Sequence, residues 1–238
     1  MSDLVIAHLY PQEMNIYGDT GNVIALCRRL EWRGMTARVD PVVAGEPYDF
    51  AGADLVFSGG GQDLSQARVA DDLQARSEAI HEAVRSGVVF LTICGTYQLF
   101  GRRFLTDVGS EIPGIGVFAM ETIGGTRRMI GNIVVATPWG NLVGFENHSG
   151  RTFLDSGQGG LGRVEKGYGN NEKTSEEGAV TGTCFGTYLH GSLLPKNPGF
   201  ADELLRRALQ RRHGGEVTLE PLDDELERRA ARVAAGRP

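Results

Sequence analysis

Gly87-Val88-Val89-Phe90-Leu91-Thr92-Ile93-Cys94-Gly95-Thr96-Tyr97-Gln98-Leu99-Phe100-Gly101 contains an apolar run that ends on a cysteine, then small residues, then a short helical pattern. The run has the length and composition of a buried strand, and the change of period after it marks a strand-to-helix turn. A side chain on such a turn stands above the sheet edge. The backbone N–H groups that follow point outward at the helix N-terminus, where the dipole favours a thiolate and donors can meet a developing oxyanion. Cys94 therefore stands where an acyl-transfer nucleophile is needed. A strand-end cysteine that merely packs fits the turn equally well.

Working outward, Leu4–Leu9 reads as a first strand and Gly21–Gly34 as a helix, with strands at Thr36–Val43 and Asp54–Ser58. Gln66–Ser86 has the period of one long amphipathic helix, followed by the Val88–Ile93 strand. That alternation predicts an α/β fold with a mostly parallel sheet flanked by helices, its ligand site at the C-terminal strand edge. From Ile112 to Gly191 the pattern changes to short strands between glycine turns: Val117–Ile123, Gly131–Ala136, Leu142–Glu146, Gly162–Glu165 and Gly182–Leu189. Helices are expected again at Pro198–Arg212 and, highly charged, at Pro221–Ala235. The economical division is one domain over 1–212 with 213–238 as its charged helical extension.

Bulk properties narrow the function. The 238 residues carry a net charge of −6, which argues against nucleic acid or an anionic membrane as partner. No apolar run approaches the roughly 20 residues of a spanning helix. The N-terminus enters strand-like sequence without a basic region or cleavage site, so a cytoplasmic protein is expected. Cys27, Cys94 and Cys184 are odd in number and widely spaced, which suits a reducing compartment and offers no zinc spacing. The 34 glycines cluster in loops, as tight turns and close backbone approaches require.

A thiol nucleophile needs a base. Gly186-Thr187-Tyr188-Leu189-His190-Gly191 ends the last strong strand, so His190 can reach the sheet edge that carries Cys94. His148, in Gly144-Phe145-Glu146-Asn147-His148, is the competitor, and position favours His190. Phe57-Ser58-Gly59-Gly60-Gly61-Gln62-Asp63 closes another strand and can bring free N–H groups to a bound carbonyl. A phosphate cradle is the rival use, but no Gly-Lys-Ser/Thr ending follows.

Together these residues resemble the class I (triad-type) glutamine amidotransferases, whose nucleophile turn reads roughly Gly-Ile-Cys-x-Gly-x-Gln. Here Thr92-Ile93-Cys94-Gly95-Thr96-Tyr97-Gln98 keeps Ile, Cys and Gln but carries threonine for both flanking glycines. His190-Gly191-Ser192 lacks the carboxylate that ordinary members place two positions after the histidine, which resembles the cobyric-acid-synthase-like branch. Within it, Leu9-Tyr10-Pro11, Met14-Asn15-Ile16-Tyr17-Gly18-Asp19-Thr20-Gly21-Asn22, Gly59–Asp63, Gly144–His148 and Tyr188–Pro198 look closest to glutaminase subunits of lipid II isoglutaminyl synthases.

The resemblance implies a three-layer, flavodoxin-like domain that hydrolyses L-glutamine through a cysteinyl thioester. Cys94 and His190 are then catalytic, with Gly60 or Gly61 and Gly95 holding the oxyanion. Gln98 joins the substrate site, and Arg128 rather than Arg127 takes the substrate α-carboxylate. The chain needs no metal or cofactor of its own. ATP and magnesium belong to a Mur-ligase-like synthetase partner, in an expected heterodimer, which amidates a lipid-linked acceptor and is expected to supply the missing carboxylate. The alternatives are a glutaminase for another ATP-dependent amidation of cobyrinate type, a free-standing cysteine hydrolase, and a catalytically silent ligase-binding scaffold.

Overall fold

The computed structural model describes residues 3–191 and 193–237, so Ser192 of the segment quoted above lies outside it. β1 (Leu4–Leu9) leads through a tight loop into α1 (Thr20–Glu31), followed by β2 (Ala37–Val42) and β3 (Leu55–Ser58). Next come α2 (Asp63–Ala75), α3 (Ser77–Arg85), β4 (Val89–Ile93) and α4 (Gly95–Leu99). β5 (Arg103–Leu105) and β6 (Glu111–Pro113) are short, whereas β7 (Met120–Thr137) and β8 (Gly140–Leu154) form a long hairpin. β9 (Gly162–Lys166), β10 (Glu176–Glu177), β11 (Ala179–Thr181) and β12 (Cys184–Thr187) lead to α5 (Leu193–Lys196), α6 (Pro198–His213) and α7 (Glu225–Ala235).

Two six-stranded sheets result. The first has the order β11-β12-β4-β3-β1-β2 and is parallel except for the β11–β12 pair. Its inner strands β1, β3, β4 and β12 are buried along their whole length, as apolar runs covered on both faces must be. β2 carries Arg38, Asp40 and Pro41 and lies at the edge, the one place where a proline's missing N–H costs no ladder bond. The second sheet is built on the antiparallel β7–β8 hairpin, with β9, β10, β5 and β6 beside it.

Four local expectations are corrected. The long helix divides into α2 and α3 at Arg76, whose guanidinium turns aside to the carbonyls of Val43 and Glu46 and to Asp72. Gly124, Gly125, Gly131, Gly144 and Gly150 do not punctuate short strands but lie inside the long β7 and β8. A Cβ on Gly144 would fall 2.7 Å from Leu189 Cβ, and one on Gly150 would fall 2.4 Å from Gln98 Nε2. These glycines let β8 approach the first sheet closely. Finally, Gly182–Leu189 is only partly strand, because Gly182 at φ +59 turns β11 into β12. α7 begins at Glu225 rather than Pro221 and is tied to α1 by Arg29, whose Nη1 donates to Asp224 at 2.7 Å.

Candidate active site

Strand order assembles the site. β4 lies between β12 and β3, so Cys94 after β4, His190 beyond β12 and the glycine loop after β3 emerge side by side at the C-terminal edge. The Cys94 N–H donates to Thr187 O at 2.8 Å, fixing the two strand ends against each other. His190 is also clasped from the second sheet, its N–H donating to Phe145 O at 2.7 Å. The two sheets thus meet at the histidine.

Cys94 sits at φ 48, ψ −101, a strained backbone for a residue with a Cβ, and it immediately precedes α4. Strain is confined to that residue, which resolves the two unexpected threonines. Thr96 lies inside α4, where its hydroxyl donates to Gly59 O at 2.7 Å and meets Ser58 Oγ at 2.8 Å. It fastens the nucleophile turn to the glycine loop. Gly95 itself is obligatory, since a Cβ there would fall 2.7 Å from Gly61 O.

His190 is fully buried, and its Nδ1 lies 3.5 Å from Oδ2 of an equally buried Asp19. Burial works against the imidazolium. The Cys94 charge and the Asp19 carboxylate outweigh it and push the group up to about 10. The imidazolium form of His190 is therefore favoured beside Cys94. The carboxylate expected from a partner has a counterpart in this chain: Asp19, in the loop between β1 and α1. The sequence displayed Asp19 beside Tyr17 and Asn22 but gave no sign that this loop arches back over the third strand. Asn22 has a structural task, accepting from Leu194 N–H at 2.8 Å and so pinning α5 to α1.

Asp19 also corrects the oxyanion assignment. Gly60 donates its N–H to Asp19 Oδ2 at 2.7 Å, so that donor is spent. Its lack of a side chain is still required, because a Cβ would fall 2.5 Å from His190 Cε1. The N–H groups of Gly61 and Gly95 donate to nothing among the described residues.

A cavity of about 610 Å³ opens over Cys94, lined among others by Gly61, Gln66, Gln98, Arg128, Asn147 and His148. Arg128 does face it, with Nε and Nη2 donating to the side chain and carbonyl of Asn147 at 2.8 and 3.0 Å. Asn147 in turn donates to the Tyr17 hydroxyl at 2.6 Å, and the Tyr17 ring packs edge-on against His190. Arg127 points elsewhere, to Glu172 and the face of Tyr168. Gln98 reaches the cavity wall with its amide already engaged: its oxygen accepts from Gln66 Nε2 at 3.0 Å and its nitrogen donates to the Tyr188 hydroxyl at 3.2 Å. It stiffens the wall rather than offering a free amide.

His148 lines the cavity, but its ring is engaged elsewhere. Its ring stacks on Tyr188 at 3.5 Å, Nδ1 bonds the Gly150 carbonyl at 2.8 Å, and Nε2 lies 3.6 Å from buried Glu146. Cys27 is half-buried on α1, and Cys184 is buried in β12, where desolvation pushes its thiol far up. Neither is a nucleophile. No group of three or more His, Cys, Asp or Glu side chains able to hold a metal occurs among the described residues. No described helix is long and apolar enough to cross a membrane.

Comparison with known proteins agrees with this arrangement. The chain is 39% identical over its whole length to the glutamine-hydrolysing GatD subunit of lipid II isoglutaminyl synthase from Staphylococcus aureus, covering 97% of that protein. It is 39% identical to the corresponding Streptococcus pneumoniae subunit, over 96% of this chain and 89% of that one. The solved structure of a Thermotoga maritima glutamine amidotransferase superposes with a TM-score of 0.55 at 16% identity, covering 99% and 95% of the two chains, which supports the fold. Residues 5–198 match the CobB/CobQ-like glutamine amidotransferase domain, and the chain belongs to that family.

Proposed function

We propose that this chain is the glutamine-hydrolysing subunit of a lipid II isoglutaminyl synthase, with Cys94 as nucleophile and His190 as its acid and base. The observation that carries the reading is the juxtaposition of Cys94, His190 and Asp19 at one sheet edge, in a chain that matches GatD subunits end to end.

The thiolate attacks the side-chain amide carbon of L-glutamine, and the N–H groups of Gly61 and Gly95 take the oxyanion. The His190 imidazolium protonates the departing ammonia. As a free base it then activates the water that hydrolyses the glutamyl thioester to glutamate. Asp19 keeps the imidazole oriented and favours its charged form, as the third member of a triad does. Arg128, braced by Asn147, binds the α-carboxylate in a geometry suited to a guanidinium.

The released ammonia serves a Mur-ligase-like partner, which uses ATP and magnesium to activate the D-glutamate α-carboxyl of the lipid-linked stem peptide. The site lies in the cytoplasm, where that precursor is built. Reconstitution with the synthetase, ATP, magnesium, lipid II and glutamine, read by mass spectrometry, tests this. Amidated lipid II should form with the wild type. With Cys94→Ala it should form only when ammonium chloride replaces glutamine. Amidation from glutamine by Cys94→Ala sinks the reading.

A further inference from the structure

The His190 backbone is clasped from both sheets, but its ring is held more loosely. Neither ring nitrogen makes a hydrogen bond of ordinary geometry. Asp19 Oδ2 stands 3.5 Å from Nδ1, at the outer limit of that range, and already accepts from Gly60. Ring orientation therefore rests on packing as well as charge. One restraint is the Gly60 backbone, where a Cβ would fall 2.5 Å from His190 Cε1. Another is Tyr17, whose ring meets that of His190 at 5.0 Å between centroids and 69° between planes, an edge-to-face arrangement that aromatic pairs favour.

Burial does not hold Tyr17 in place. The residue is 48% exposed, and its backbone lies at φ 58, ψ 21, in the left-handed region that disfavours a residue with a Cβ. Its hydroxyl ties it down, accepting from Asn147 Nδ2 at 2.6 Å. The oxygen of the same Asn147 amide accepts from Arg128 Nε at 2.8 Å. Arg128 lies where the β7–β8 register shifts between Gly124 and Met129, a bulge of the kind that re-aims a side chain. With Nε and Nη2 engaged by Asn147, Arg128 Nη1 donates to nothing among the described residues and is left for a carboxylate. One amide thus joins the carboxylate subsite to the neighbour of the histidine.

We propose that Tyr17 is a positioning residue for His190, and that Asn147 couples it to the α-carboxylate bound at Arg128. A carboxylate on Nη1 fixes the guanidinium, the guanidinium fixes the Asn147 amide, and the amide keeps the Tyr17 ring against the imidazole. Substrate that carries the carboxylate tightens the His190 ring beside Cys94 before its side-chain amide is attacked. The proposal rests on the glutaminase reading.

The test is glutamine hydrolysis by the full chain assembled with its synthetase, read as kcat and KM for Tyr17→Phe, Asn147→Ala and the double variant. Tyr17→Phe removes one oxygen from a half-exposed ring and should leave the melting temperature unchanged. Its kcat should fall about tenfold, the worth of one hydrogen bond, with KM within about twofold. Asn147→Ala should raise KM by about fivefold or more, because Arg128 loses its brace, and should lower kcat as much as Tyr17→Phe does. The double variant should match Asn147→Ala, since the tyrosine hydroxyl then has no amide to accept from. Wild-type kcat in Tyr17→Phe overturns the proposal, whether or not KM rises. Additive kcat losses in the double variant overturn the coupling through Asn147. Failure of the wild-type complex to release glutamate fells the glutaminase reading itself, and the proposal with it.

Discussion

Two buried histidines stand near Cys94, His148 in the wall of the cavity and His190 behind it, and each has a buried carboxylate at nearly the same distance. His190 Nδ1 lies 3.5 Å from Asp19, and His148 Nε2 lies 3.6 Å from Glu146. Their protonation differs in direction: His190 is raised to about 10, while burial lowers His148 despite Glu146. A single carboxylate does not keep a buried imidazole charged. At His190 a contribution from Cys94 adds to that of Asp19, and no such contribution acts among the causes of the shift at His148. Glu146 is also occupied elsewhere, accepting from Tyr168 and Gly169 N–H at 2.7 and 3.0 Å, so it anchors a loop as much as a histidine.

The comparison can be broken most forcefully at the reacting groups. His190→Ala should lower glutamine hydrolysis by at least about a thousandfold, whereas His148→Ala, lacking contact with the thiolate, should lower it by about tenfold or less. Steady-state assays of both variants check this, and equal losses would erase the distinction. The two carboxylates come next. Asp19→Asn should reduce kcat by about a hundredfold, because the amide no longer favours the imidazolium. Glu146→Gln should leave kcat within about twofold but lower thermal stability by about 1–3 kcal/mol, since the N–H of Tyr168 or of buried Gly169 loses its acceptor.

Protonation is the next measure. NMR titration should find His190 charged up to about pH 10 in the wild type, with its midpoint falling toward the ordinary range in Cys94→Ala. The linkage has opposite signs at the two sites. The raised His190 stabilises the fold below its unfolded value of 6.5, and that contribution is lost as pH rises through about 10. The lowered His148 destabilises the fold as pH falls below 6.5, because the unfolded imidazole takes up the proton more readily.

The smallest expected effect concerns a third buried acid. Glu177 accepts from Tyr188 N–H at 2.6 Å and from the Thr187 hydroxyl, yet burial raises it from 4.5 to about 8. Its neutral form is favoured in the fold, so wild-type stability should decline as pH rises from 4.5 through about 8. Glu177→Gln should flatten that part of the Tm profile. An unchanged slope would assign the decline to other groups.

The chemistry-bearing elements of the first sheet were legible because each is local. An apolar run ending at Cys94, a triple glycine after Phe57 and a histidine closing Tyr188-Leu189-His190 carry their meaning within a few residues. The β7–β8 hairpin reads as short strands because its glycines serve close approach to the other sheet, and no local pattern distinguishes that use from a turn.

The sequence by itself therefore located the proposed nucleophile, its histidine and the parallel sheet that presents them, since strand period and turn chemistry act over short range. Only the tertiary structure decided which carboxylate faces His190, that Gly60 spends its N–H on Asp19, and that Asn147 joins Arg128 to Tyr17. Those relations depend on strand order and on loops that cross neighbouring strands. Electrostatic coupling between groups far apart in sequence arises only once the chain has folded.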